Sequence, residues 1–303
     1  MTTTLGPSGP QTVRANGVTI AYETFGRSGD PPLVLVMGLA TQMIVWDDDF
    51  CAALAAQGRF VVRFDNRDIG LSDRLPDARI PGRGELLLSI LRRNVKNPPY
   101  TLRDMAGDTL GLMDALGLDR VDLVGISMGG AIGQEIAIEA PERLRTLTLI
   151  MAASGNPKLP LPKPRGLRAL LRTAPSDREG YLKAYVDTWR ALAGKDYPID
   201  PERTLEQGRL SYERGPSPAG AVRQLLAIVA SGNRVPKLAE VRTPTLIIHG
   251  TDDPLVRVES AADLARAIPG ARVELIDGMG HTLPRAVWPR VLAALERHAP
   301  PRP

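Results

Sequence analysis

Cysteine, histidine and aromatic residues are scarce in this chain, and each scarcity narrows what the protein can be. Of its 303 residues, one is cysteine (Cys51), three are histidine, and aromatic side chains make up 4%. A single cysteine excludes an internal disulfide bond and favours the cytoplasm as the compartment. No motif surrounds Cys51, so we do not expect it to be a nucleophile.

Targeting, membrane and cofactor signals are also missing. The first ten residues lack the charged and apolar regions of a signal peptide, and no apolar run approaches the roughly 20 residues of a membrane span. The chain has no phosphate-binding P-loop, no complete G-x-G-x-x-G and no clustered Cys/His site. We interpret Asp47-Asp48-Asp49 as a helix start. The sequence therefore predicts no cofactor, no metal and no membrane association.

Apolar runs separated by helical patterns indicate an α/β fold. Apolar residues make up 43% of the chain, enough for a sizeable core. Runs of this kind are typical of a parallel sheet buried on both faces. Asn16-Gly17 lies between alternating runs in 12–25 and predicts a hairpin. A helix is predicted over 104–116, ended by Gly117. The central strands are predicted at 33–37, 60–64, 121–124, 147–151, 245–249 and 273–276.

The organisation changes after residue 154. The stretch 155–164 contains four prolines, which cannot continue a helix or a central strand. Helical patterns follow, and the sheet pattern resumes near 236–244. The sequence thus predicts a core of residues 1–154 and 238–303, interrupted by an inserted segment at 155–237. Its helices are predicted at 167–172, 177–193, 201–213 and 218–231.

A candidate nucleophile lies in Gly125-Ile126-Ser127-Met128-Gly129. This G-x-S-x-G follows an apolar strand pattern and opens a predicted helix that runs to about Glu139. In that setting a sharp turn exposes the serine hydroxyl at the top of a sheet, and flanking glycines relieve the crowding. We therefore expect Ser127 to attack an acyl carbon.

A serine nucleophile needs a base, and only three histidines are available. We expect His298 to be frayed and solvated in the C-terminal tail. His249 ends an apolar run and is interpreted as a structural residue. His281 follows Gly278-Met279-Gly280 in a loop between the last strand and the last helix, where its imidazole can reach over the sheet. We expect His281 to be the general base.

The acid that orients the histidine is expected between Ser127 and His281 in the chain. Asp252 and Asp253 compete for this role in a loop that follows a strand. Asp253 is favoured because Pro254 sets a turn directly after it, which leaves Asp252 as a turn or capping residue.

Backbone donors for an oxyanion are predicted at two places. One is the N–H of Met128, which follows the nucleophile. The other is the N–H of Leu39 in the loop after an early strand, where Gly38 lets the backbone approach. A plain strand-to-loop glycine is the alternative interpretation of Gly38.

These motifs together resemble the α/β-hydrolase superfamily over nearly the whole chain. The matching segments are 125–130, 249–254, 278–281 and 63–72. One departure is Met37-Gly38 where most members have His-Gly. Met37-Gly38, with Trp46 following, resembles an actinobacterial branch that includes aclacinomycin methylesterase. The departure leaves the backbone donor intact but changes how the oxyanion loop is braced.

The resemblance implies an α/β-hydrolase fold, with a mostly parallel central sheet flanked by helices and a helical cap at 155–237. It implies a serine esterase with the triad Ser127, Asp253 and His281 that cleaves small-molecule esters. Lactonase, thioesterase, amidase and carbon–carbon bond hydrolase use the same triad and stay open, as do a cofactor-free perhydrolase and a non-catalytic binding protein. Dehalogenases and epoxide hydrolases are disfavoured, because they carry an aspartate where this chain has Ser127.

The inserted segment leaves two further points open. Tyr181, Tyr185 and Trp189 would line the substrate pocket or simply pack between helices. Residues 155–190 hold eight Lys/Arg and three Asp/Glu, a net of +5, which we interpret as a solvated helix face rather than a nucleic-acid site. The sequence leaves open whether the protein forms a homo-oligomer.

Overall fold

The central sheet has eight strands, most of them parallel. The computed structural model describes residues 6–75, 80–92, 95–173 and 175–300. Within them the strand order is β1-β2-β4-β3-β5-β6-β7-β8, and every pair from β4 onwards is parallel. The strands are β1 (Gln11–Ala15), β2 (Val18–Phe25), β3 (Pro32–Val36), β4 (Phe60–Phe64), β5 (Val121–Ile126), β6 (Leu144–Ile150), β7 (Thr245–Gly250) and β8 (Arg272–Ile276).

The predicted hairpin is confirmed at the antiparallel edge of the sheet. β1 pairs with β2, and Asn16 and Gly17 form the two-residue turn between them. Both residues have positive φ, +50° and +82°, as the hairpin turn that matches strand twist requires. β2 then pairs antiparallel with β4 and joins the hairpin to the parallel part.

Eleven helices lie in the described part of the chain, and several of them cover the two faces of the sheet. Successive side chains of β3 point to opposite faces of the sheet. Val34 and Val36 pack in the core on one face, whereas Leu33 and Leu35 pack in the core on the other. The helices are α1 (Asp48–Ala56), α2 (Arg83–Arg92), α3 (Leu102–Ala115), α4 (Met128–Glu139), α5 (Pro164–Leu170), α6 (Arg178–Leu192), α7 (Pro201–Glu213), α8 (Pro218–Ser231), α9 (Val235–Leu238), α10 (Glu259–Ala267) and α11 (Trp288–His298).

The two layers follow from which helices share a core with which strand face. Side chains of α3, α4 and α10 pack on the face that carries Val34, whereas those of α1 and α11 pack on the face that carries Leu33. Burial on both faces explains why the central strands are continuous apolar runs. The predicted α/β class, with a mostly parallel sheet between helical layers, is confirmed.

Five helices, α5 to α9, lie between β6 and β7 in the chain, and α5 to α8 fall wholly within the predicted insertion. α7 and α8 have the predicted bounds, while α5 starts three residues earlier than expected because Pro164 occupies its first position. No sequence pattern predicted α2 or α9. The division into a core and a cap at 155–237 stays a prediction. Among the described residues, no helix is long and apolar enough to cross a membrane.

The expectation for His298 was wrong, because this histidine is buried at the end of α11. Its Nε2 lies 3.2 Å from the Leu147 carbonyl oxygen, and its Nδ1 accepts a hydrogen bond from Arg272 at 2.9 Å. α11 buries Val291 and Leu295 against the sheet and carries its last turn in with them. Burial lowers the pKa of His298, which suits a neutral ring that donates from one nitrogen and accepts at the other.

Candidate active site

Ser127 lies in a sharp turn between β5 and α4. Its φ of 53° and ψ of −114° fall in a region that non-glycine residues rarely adopt. Such backbone strain persists only where the surroundings hold it, and it concentrates at functional sites. Here the Ser127 N–H donates to the Ile150 carbonyl oxygen at the end of β6, 2.9 Å away. The turn therefore has the form of the predicted nucleophile elbow.

The glycines of the motif leave no room for side chains. A Cβ at Gly125 would overlap the Gly129 carbonyl, and a Cβ at Gly129 would overlap the Val36 carbonyl. Both obstacles are backbone atoms, which cannot move aside as a flexible side chain can. The motif therefore needs glycine at both positions because helix α4 packs directly against β3 and β5.

We expect Gly129→Ala to lower the free energy of unfolding by roughly 3 kcal/mol or more, since the new methyl group overlaps backbone. Gly84→Ala is the matched control, because Gly84 is a helical glycine with no atom within 4 Å of an added Cβ. Chemical denaturation checks both variants. Equal stability of the two variants would contradict the overlap.

Ser127, His281 and Asp253 form one hydrogen-bonded chain. His281 Nε2 lies 3.1 Å from Ser127 Oγ, and His281 Nδ1 lies 2.7 Å from Asp253 Oδ2. Because a carboxylate only accepts, Nδ1 carries the proton and Nε2 is left to accept the serine proton. Asp253 is 1% exposed and His281 is 7% exposed. The three side chains come from the loops after β5, β7 and β8, where the carboxyl ends of parallel strands meet.

Asp253 and Asp252 have different partners, which separates their roles. The second carboxylate oxygen of Asp253 accepts from the N–H groups of Leu255 and Val256, each at 2.8 Å. Asp252 instead forms ion pairs with Lys163 and Arg165. Partial burial acts to raise the pKa of Asp252, but the hydrogen bonds from Lys163 and the Lys195 N–H and the charges of Lys163 and Arg165 together outweigh it and hold that pKa below its usual value. Only Asp253 contacts His281, in agreement with the turn argument.

His249 is a buried neighbour of this hydrogen-bonded chain rather than part of it. Its Nε2–H donates to the Val256 carbonyl at 2.8 Å, and the same nitrogen lies 3.7 Å from Asp253 Oδ2. Burial lowers the pKa of His249, so its ring is neutral at pH 7. It packs behind the acid, which agrees with its interpretation as a structural residue at a strand end.

The residues predicted to supply the oxyanion donors, Leu39 and Met128, belong to segments that adjoin the nucleophile. Met128 is the first residue of α4, where backbone N–H groups have no partner within the helix. Leu39 belongs to the loop after β3, and a Cβ on neighbouring Gly38 would lie 3.4 Å from Ser127 Cβ. Leu39, Ser127 and His281 line one cavity. Assignment of the two N–H groups as oxyanion donors stays a prediction.

A cavity of about 630 Å³ opens above the triad, within the usual range for small-molecule sites. The sheet edge forms its floor, and α6, α7 and α8 supply much of its wall. Tyr181, Tyr185 and Trp189 follow one face of α6, and successive ring centroids are 6.0 Å apart. Both earlier interpretations of these aromatics therefore apply, because they pack on one another and also line the cavity.

Buried ion pairs that no sequence pattern predicted join the helices between β6 and β7 to the rest of the fold. Arg214, which follows α7, forms an ion pair with Asp65. Arg223 of α8 donates hydrogen bonds to both carboxylate oxygens of Asp68, at 2.9 and 2.6 Å. Tyr100 donates to the same Asp68 at 2.8 Å. Burial raises the pKa of Asp65, although Arg214 opposes this. The segment 63–72 resembles a loop of the family, but no pattern within it predicts that Asp65 and Asp68 pair with the distant Arg214 and Arg223.

The basic charge of 155–190 is partly neutralised by local acids. Asp187 alone pairs with Arg172, Lys183 and Arg190. These cations are well exposed, which agrees with a solvated helix face.

Among the described residues, no group of three or more His, Cys, Asp or Glu could hold a metal ion. Asp47 caps α1 through the Asp49 N–H, which confirms the predicted helix start.

Comparison with known proteins identifies the family of the chain. The sequence model of the family described as alpha/beta hydrolase fold matches residues 31–284. The rhodomycin D methylesterases of Streptomyces sp. (strain C5) and Streptomyces peucetius are 33% and 32% identical, each over 93% of this chain and 95% of the relative. The crystal structure of the enol-lactonase from Burkholderia xenovorans LB400 superimposes with a TM-score of 0.69 at 24% identity, over 95% of this chain and 97% of that chain, a likeness of fold alone. The chain belongs to the alpha/beta hydrolase fold family, as its motifs predicted.

Proposed function

We propose that this protein is a serine hydrolase of carboxylic esters that works through an acyl-enzyme. The hydrogen-bonded chain from Ser127 through His281 to Asp253 carries the proposal. An elbow that exposes the serine, a base of the correct tautomer and a fixed acid are the three parts that acyl transfer by serine requires. The methylesterase relatives, aligned over nearly the whole chain, support the same reaction class.

The proposed reaction has two steps. His281 Nε2 takes the Ser127 proton as Oγ attacks the ester carbonyl carbon, and Asp253 stabilises the imidazolium that forms. The N–H groups of Leu39 and Met128 bind the tetrahedral oxyanion. His281 then gives its proton to the leaving alkoxide. Water attacks the acyl-enzyme with the same proton transfers in reverse, which releases the acid and restores Ser127.

We further propose that the substrate is a methyl ester of a bulky, largely apolar acid. The curated relatives are named as methylesterases of rhodomycin D. The cavity here is large enough for such a molecule and carries the aromatic side chains of Tyr181, Tyr185 and Trp189 on one wall. Aromatic rings offer wide, flat apolar contact area to a flat ring system.

A substrate panel tests the proposed function. The panel holds methyl esters of naphthoic and anthracene carboxylic acids, p-nitrophenyl acetate, butyrate and decanoate, a lactone and a thioester. We expect ester turnover, with kcat/KM highest for the polycyclic methyl esters. Turnover of the lactone or the thioester alone would contradict an esterase. If kcat/KM is highest for p-nitrophenyl acetate, the protein is still an esterase, but the proposal that its substrate carries a bulky acid is contradicted.

A variant that fills the cavity gives a matched prediction. Val222 of α8 lines the cavity, whereas Val229 lies on the same helix outside the residues that line it, and both are partly buried. We expect Val222→Trp to lower kcat/KM for polycyclic esters by at least ~10-fold, because lost pocket contacts cost this much or more. Activity on p-nitrophenyl acetate should change less. Steady-state kinetics of Val222→Trp and Val229→Trp check the difference, and equal effects would contradict this assignment of the acid pocket.

A further inference from the structure

The loop that carries the Leu39 N–H has an unusual backbone. Ala40 has a φ of +57°, in the left-handed region that favours glycine. The loop is short and follows β3 directly, so its conformation decides where the Leu39 N–H points. A conformation of this kind is retained only when neighbouring groups hold it.

Three hydrogen bonds hold the backbone of this loop. Asn66 Nδ2 donates to the Met37 carbonyl at 3.0 Å, and Thr41 Oγ1 donates to the Leu39 carbonyl at 2.7 Å. The Ala40 N–H donates to Gln224 Oε1 at 2.8 Å. The loop is thus fixed before, at and after Leu39. Two of these groups come from the core, but Gln224 comes from α8.

Gln224 connects the loop to a second core segment. Its side chain is fully buried, and its Nε2 donates to the Arg67 carbonyl at 2.9 Å. Arg67 is the next residue in the chain after Asn66, whose side chain donates a hydrogen bond to the Met37 carbonyl. Both polar atoms of Gln224 are therefore used, one on each of two core loops. Next to it in α8, Arg223 is bound to Asp68 of the same core segment.

We propose that Gln224 is a positioning residue for the oxyanion hole, acting through the Ala40 N–H to orient the Leu39 N–H. This inference rests on the proposed function, since it assumes that Leu39 binds an oxyanion. Its consequence is that the inserted helices set the catalytic loop as well as the pocket wall. If α8 moved away from the core, the Ala40 N–H would lose its partner and the donor would lose its fixed direction.

The test compares two buried glutamines. Gln134 of α4 is also fully buried, accepts from Arg234 Nε at 2.9 Å and donates to the Ala153 carbonyl at 3.2 Å. Gln224→Met and Gln134→Met each remove one accepted and one donated bond at nearly constant side-chain length. The two variants therefore share the structural damage and differ in whether the oxyanion loop is released.

We expect Gln224→Met to lower kcat by about 10- to 10²-fold, because a misdirected donor costs less than the roughly 10²- to 10³-fold of a deleted one. KM should stay within about threefold, since the ground-state carbonyl depends little on the oxyanion donors. The inhibition constant of an aryl trifluoromethyl ketone, which forms an oxyanion on the serine, should rise by the same factor as kcat/KM falls. Gln134→Met should lower the melting temperature and leave kcat per folded molecule within about twofold.

Gln224→Glu serves if Gln224→Met does not fold. A carboxylate keeps the acceptor for the Ala40 N–H but loses the donor to Arg67, so its kcat should lie between those of the wild type and Gln224→Met. The inference is overturned if the folded Gln224 variants keep wild-type kcat and ketone affinity. It is equally overturned if Gln134→Met loses kcat by the same factor. Failure of the proposed function is separate, because it would appear as full turnover in Ser127→Ala.

Discussion

Replacing Ser127 by alanine is expected to lower kcat for ester hydrolysis by about 10⁶-fold, the size of effect seen when a triad serine is removed. The reason is that no other group at the turn can form the acyl bond. The strained φ of 53° is the same for alanine as for serine, because both carry a Cβ. The fold and its melting temperature should therefore be preserved, which separates lost chemistry from lost structure.

Ser154 provides the matched control for this substitution. It is a fully buried serine whose Oγ donates to Asp263, and it lies outside the cavity lining. Ser154→Ala leaves Asp263 short of a hydrogen bond, so it should cost about 1–3 kcal/mol of stability and keep kcat per folded molecule. Steady-state kinetics and thermal unfolding of both variants check this. Turnover above about one hundredth of the wild-type rate in Ser127→Ala would remove Ser127 from the mechanism.

Asp253→Asn is expected to lower kcat by about 10⁴-fold, whereas Asp252→Asn should change it by less than about threefold. An asparagine at 253 can present its NH₂ to His281 Nδ1, which forces the other tautomer and removes the acceptor at Nε2. Asp252 contacts Lys163 and Arg165, ion pairs that are partly exposed. Loss of such pairs costs about 1 kcal/mol or less.

The pair of aspartate variants decides between two neighbours in one loop. Both substitutions are isosteric and remove one negative charge, so a general electrostatic effect would appear in both. The kcat values of the two variants should therefore differ by more than about 10³-fold, which is the ratio of the two expected losses. If Asp252→Asn were the more damaging variant, the acid of the triad would be misassigned, even though only Asp253 contacts His281.

The three residues of the proposed triad could be predicted from the sequence because each one has a local signature. Glycines flank Ser127, a proline follows Asp253, and glycines precede His281. Each signature also follows a strand pattern. Since the carboxyl ends of parallel strands lie at one edge of the sheet, loops that follow neighbouring strands can bring their side chains together there. The sequence could thus predict which edge of the sheet carries the three residues, while the strand order of the structure shows that β5, β7 and β8 lie near one another.

What the sequence could not reveal depends on contacts between distant segments. The expectation for His298 failed because position near a chain end says nothing about whether the last helix packs on the sheet, as α11 does. Gln224 is one of the few polar residues in the largely apolar sequence of α8, and nothing near it in the chain indicates a hydrogen-bond partner. Its partner Ala40 lies 184 residues away. The arginines that bind Asp65 and Asp68 are equally remote.

The most direct test of the account is to label the protein with a fluorophosphonate and map the modified residue by peptide mass spectrometry. This reagent reacts with a serine that has an activating base and an oxyanion site. We predict one modified residue, Ser127, with labelling that tracks loss of ester turnover and is absent from Ser127→Ala. Modification of a different residue, or ester turnover that persists in fully labelled protein, would contradict a serine hydrolase built on Ser127, His281 and Asp253.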